Sequence, residues 1–108
     1  MLIAVAQTAA FTAQAKAEGM SETEIDNAIN LIAANPAGGV SLGAGLYKVR
    51  VPREAAGKSG GYRVITLYLS ENTPVILLAV LSKSNAGNFT AKAMSRIKEK
   101  AREIKRPK

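Results

Sequence analysis

"LYKVRVPREAAGKSGGYRVITLYLSENTPVILLAVL", residues 46–81, decides the fold of this chain. In "LYKVRVP", residues 46–52, Val49 and Val51 alternate with Lys48 and Arg50, the pattern of a strand with one buried and one polar face. "YRVITLYL", residues 62–69, is the segment richest in β-branched and aromatic residues. "PVILLAVL", residues 74–81, is apolar without alternation, which implies burial on both faces. Pro74 stands at its start, where a missing backbone donor is tolerated. The links "REAAGKSGG" and "SENT" carry turn residues, so the three segments are expected to form an antiparallel meander.

The flanks supply helices. "LIAVA", residues 2–6, reads as a short strand. Thr8 can cap a helix running to about Ala17 and ending at Gly19. Ser21 and Glu24 have the spacing of a capping box, followed by an apolar stripe at Ile25, Ala28, Ile29 and Ile32. "NPAGG", residues 35–39, ends that helix, because proline disfavours helical backbone at the residue before it. "VSLGAG", residues 40–45, reads as a small-residue loop. Beyond "SKSNAGN", a last helix capped by Thr90 carries a narrow seam of Met94, Ile97, Ala101 and Ile104. The expected order is β-α-α-β-β-β-α: an α+β class with a small antiparallel-centred sheet, two N-terminal helices and a C-terminal helix.

Length and composition limit the function. The 108 residues are expected to form one domain, 1–108, with 105–108 a frayed basic tail. The chain has neither cysteine nor histidine, so it lacks thiolate ligands, the commonest metal ligand and the usual general base. No metal or other cofactor is expected. "MLIAVAQTAAFTAQAKAEG" has no basic leader and its apolar run is short, so it reads as structure rather than a signal peptide. With no segment long enough to span a bilayer, the expectation is a cytoplasmic protein that does not engage membranes.

Charge is distributed unevenly. Residues 1–47 hold one base and four acids, a net of −3, whereas residues 48–108 hold fourteen bases and four acids, a net of +10. Such a field favours a polyanionic partner, nucleic acid first. Lys48 and Arg50 leave one face of the first meander strand, Arg63 opens the second, and Lys83 follows the third. Alternation alone is as consistent with a solvated face as with a binding face. Convergence of cations from three strands points to a cavity that holds an anion, since like charges gathered together cost folding energy. Tyr62 and Tyr68 share a strand face and read as core. The glycines at 57, 60 and 61 match no phosphate-binding loop, because no helix follows them. Serines 59, 82 and 84 have no histidine to activate them.

With "GKSGGYR" at residues 57–63, an apolar strand, "SKSN" and a helix opening at "NFTAKAM", the chain resembles the RelE/HigB toxins of bacterial toxin–antitoxin systems, within the RelE/ParE superfamily and nearest its HigB-like branch. The resemblance implies a ribosome-dependent mRNA endoribonuclease, an mRNA interferase that cuts message in the ribosomal A site and inhibits translation. A cognate antitoxin, expected to be a small DNA-binding protein, would silence it. The catalytic positions it implies are Lys48, Arg50, Arg63 and Lys83, with Arg53, Lys58, Phe89 and Lys92 contacting RNA or the ribosome. Its chemistry needs no histidine, because the ribose 2′-hydroxyl is the nucleophile and cations stabilise the phosphoryl charge of the transition state. Arg63 suits the phosphate clamp, and Lys48 or Lys83 the proton transfer. The chain departs from the family in having Leu81 before "SKSN", where relatives often have an aromatic. Phe89 and Thr90 also stand where some members carry a tyrosine. Two alternatives stay open: a ParE-like inhibitor of DNA gyrase, and a basic RNA- or ribosome-binding protein without catalysis.

Overall fold

The computed structural model describes residues 3–52, 61–82 and 90–105. Strand β1 (Val5–Gln7) leads into helices α1 (Ala9–Ala17) and α2 (Glu22–Ala34). Strands β2 (Val40–Gly43), β3 (Leu46–Val51), β4 (Tyr62–Leu67) and β5 (Val75–Ser82) follow, and helix α3 (Ala91–Lys105) closes the described chain. The five strands form one sheet in the order β1-β5-β4-β3-β2. The β3–β4–β5 meander is antiparallel, as expected, and β1 joins its β5 edge in parallel.

The α+β class and the helices agree with the sequence reading, and several boundaries move; β4 ends at Leu67 rather than residue 69, and β5 runs Val75–Ser82 rather than 74–81. The first strand spans Val5–Gln7 rather than residues 2–6, and Lys105, expected in the basic tail, is the last residue of α3. All three predicted caps form, and Thr8 Oγ1 accepts from the Phe11 N–H. The Ser21 side chain accepts from the Glu24 backbone N–H while the Glu24 carboxylate accepts from the Ser21 N–H. Thr90 Oγ1 accepts from the Ala93 N–H.

One expectation is overturned. "VSLGAG" is not a loop, because Val40–Gly43 pairs antiparallel with β3 through a two-residue turn at Ala44–Gly45. Both turn residues have positive φ, 56° and 87°, the backbone that two-residue hairpins require. The small residues belong to a tight turn, and their hairpin role was hidden because the alternation of Val40 and Leu42 with Ser41 and Gly43 is only four residues long and β2 is mostly exposed.

Each sheet face carries its own core. Helices α1 and α2 bury Phe11, Ala15, Ala28 and Ile32 against Val49, Val51, Tyr62, Val64 and Leu77. Helix α3 buries Ile97 and Ala101 against Leu46, Ile65, Leu67, Leu78 and Ala79, with Met94 and Ile104 at the margin. Helices on both sides explain why β5 carries no polar alternation. Between Ile65↔Ala79 and Thr66↔Leu77 the register skips Leu78, a bulge that turns two successive β5 residues towards α3.

Candidate phosphate-binding face

Cross-strand partners lie on the same side of a sheet, so register alone defines the face that carries the cations. Lys48 pairs with Ile65, which pairs with Ala79; one row further on, Arg50 pairs with Arg63, which pairs with Leu81. Ile65 and Ala79 are buried under α3, so these rows lie on the α3 side of the sheet. Cover by α3 runs out between them. Lys48 is half-buried at the margin, Arg63 is half-buried, and Arg50 is exposed. Rows separated by two residues lie roughly 7 Å apart along a strand, a distance that three long cationic side chains can close around one phosphate.

The motif "GYR" divides between the two faces. Tyr62 is fully buried on the α1–α2 side, as its core reading anticipated, and its hydroxyl donates to Glu24 Oε1 at 3.2 Å. That bond ties the start of β4 to the capping box of α2, and period-two alternation then sends Arg63 out on the opposite face. Tyr68 is half-buried against the same core as Tyr62.

The electrostatics are one-sided. Among the described residues the Arg50 side chain takes part in no ion pair or hydrogen bond, and the ion pair present there joins Arg102 to Glu99 along α3. No three His, Cys, Asp or Glu side chains gather into a metal-binding group among the described residues. An exposed guanidinium with no ion pair among the described residues, as at Arg50, can donate to the oxygens of an anion.

Three of the sequence-derived candidates, Lys48, Arg50 and Arg63, come together on this face. Lys92 does not join them: it is exposed on the first turn of α3 and makes no hydrogen bond or ion pair with the arginines. Lys83, Arg53, Lys58 and Phe89 lie outside the described residues. Thr90 is engaged as the N-cap of α3, accepting from the Ala93 N–H. Sequence reasoning missed a cavity beside Arg50, lined by Leu31, Asn35, Gly38, Gly39 and Val40. The available signal was Leu31, an apolar residue lying off the Ile25–Ala28–Ile29–Ile32 stripe.

A family model described as "RelE toxin of RelE / RelB toxin-antitoxin system" matches residues 3–107. Nine chains of solved structure match. One is a double arginine-to-alanine mutant of the E. coli toxin RelE in the free state, with a TM-score of 0.59 and 12% identity over 98% of this chain and 100% of that one. No curated protein sequence matches. Among the described residues, no helix is long and apolar enough to cross a membrane.

Proposed function

We propose that this chain, which belongs to the RelE toxin family, is a ribosome-dependent mRNA endoribonuclease that halts translation from the cytoplasm and is held in check by a cognate antitoxin. The observation that carries this reading is the direct pairing of Arg50 with Arg63, with Lys48 one row away on the same face. Two guanidinium groups set opposite each other, with no carboxylate among the described residues pairing Arg50, suit an anion with several oxygens better than they suit a folded protein alone. "GKSGGYR", residues 57–63, supports placement in the HigB-like branch.

The chemistry follows from the charges. The 2′-oxygen of one nucleotide attacks the adjoining phosphorus; its bond to phosphorus forms as the bond to the 5′-oxygen breaks. Negative charge grows on the non-bridging oxygens, where Arg63 and Arg50 stabilise it more than in the ground state. Lys48 or Lys83 moves the proton between the attacking and leaving oxygens. The ribosome supplies the remaining orientation of the message.

Purified protein incubated with mRNA is expected to cut only when ribosomes are present, and Arg63→Ala and Lys83→Ala are each expected to abolish the cuts. Undiminished cleavage by both variants removes the reading. Inhibition of gyrase without RNA cuts replaces it with the ParE-like one.

A further inference from the structure

Pairing between β2 and β3 begins at Val40↔Lys48, so Arg50 extends past the end of its neighbouring strand. In that step lies a cavity of about 430 Å³, bounded by Leu31 and Asn35 at the end of α2, Gly38, Gly39, Val40, and Lys48, Val49 and Arg50 of β3. Its size is that of a small-ligand pocket.

The lining is distinctive. Leu31 and Val40 are 41% and 62% exposed, two of three exposed large hydrophobics among the described residues. Neither packs into either core. The Asn35 side-chain amide, both donor and acceptor, has no hydrogen-bond partner among the described residues. Among the described residues no carboxylate lines the cavity. Its rim is held by a close backbone approach: a Cβ at Gly39 would lie 2.4 Å from the Lys48 carbonyl oxygen.

We propose that this pocket, which lies on the α2 side and is reached round the edge of β3 that β2 leaves uncovered, takes the base of the RNA nucleotide next to the phosphate held by Arg50 and Arg63, and that Leu31, Asn35 and Val40 bias which base is accepted. The proposal rests on the RNA-cleaving reading and assigns it a specificity subsite. Single-stranded RNA is recognised through unstacked bases, which need an apolar surface for the ring and a polar group for its edge. Leu31 and Val40 provide the surface, and an asparagine amide can read a base edge. A second phosphate is the poorer occupant, because the pocket adjoins the carbonyl end of α2, which carries partial negative charge. The cations at the rim belong to the backbone of the same RNA.

The test is binding of a short single-stranded RNA, read by fluorescence anisotropy, against the same RNA with one base removed at each position in turn and the backbone intact. Loss of one particular base is expected to weaken binding to the wild type roughly tenfold. The Leu31→Ser/Asn35→Ala variant is expected to bind the complete and base-deleted RNAs alike, and Asn35→Ala alone to lose discrimination among the four bases at that position. Arg50→Ala should weaken every RNA to a similar degree. Wild-type affinity indifferent to base removal at every position overturns the proposal. So does self-association that Leu31→Ser abolishes while RNA affinity is unchanged, which would assign the patch to a second copy of the chain. Cleavage on ribosomes is scored separately: base-dependent binding without cutting fails the nuclease reading alone, and cutting without base dependence fails the pocket alone.

Discussion

Arg50 and Arg63 stand directly opposite each other on β3 and β4, a like-charge pair on the sheet face that α3 leaves open. Like charges in register destabilise a sheet by roughly 0.2–1 kcal/mol. Arg50 is exposed and has no ion pair among the described residues to offset this. Arg50→Thr is therefore expected to raise the urea midpoint, by about 0.5 kcal/mol of stability, while lowering ribosome-dependent cleavage. Sulfate should stabilise the wild type more than the variant, because it binds the folded arginine pair. A variant less stable than wild type in low salt would show that the pair is not under electrostatic strain.

The bond from Tyr62 to Glu24 separates a scaffolding role from a chemical one within a single motif. Both residues are buried, and the phenol links β4 to the cap of α2. Tyr62→Phe keeps the ring and deletes the donor, so it should cost about 1–2 kcal/mol in chemical denaturation. Cleavage by the protein that remains folded should change little, since the ring lies on the sheet side opposite Arg63. A large loss of cleavage with unchanged stability would place Tyr62 in the reaction instead.

Local signals made much of this fold legible, and register hid the rest. The capping boundaries, the α2 stripe and the α3 seam are all written within a few residues of one another. Lys48 and Arg50 share a face by period two alone. Arg63 was harder, because β4 is apolar on both sides: Tyr62 and Val64 enter one core, Ile65 and Leu67 the other. No polar face marks which way Arg63 turns; that is settled by Tyr62 taking the α1–α2 side. The bulge at Leu78 was hidden for the same reason, since any register of an all-apolar strand looks equally good. The pocket beside Arg50 combines α2, a turn and two strand edges, a conjunction no single window contains.

Ala44 occupies the first position of the β2–β3 turn at φ 56°, where a side chain is disfavoured. Its carbonyl also accepts a hydrogen bond from Lys105 Nζ, tying the end of α3 to the hairpin. Ala44→Gly relieves the crowding of Cβ against its own backbone and leaves that carbonyl in place. The expected gain is up to about 1 kcal/mol, less the extra entropy glycine adds to the unfolded chain. A thermal or urea midpoint that falls by as much would mean the unfolded-state term wins.

Thr66 is fully buried beside the Leu78 bulge, and its hydroxyl has no hydrogen-bond partner among the described residues. An orphaned buried hydroxyl costs roughly 1–3 kcal/mol of desolvation, whereas a methyl of similar shape there costs nothing comparable. Thr66→Val keeps β-branching and nearly the same volume, so the strand preference and packing of β4 are retained. Stability should rise by about 1 kcal/mol with cleavage unchanged, because Thr66 pairs with Leu77, away from the arginine row. Denaturant titration of the variant decides it. A loss of stability would mean that the hydroxyl finds a partner in solution, and that the bulge is organised around it.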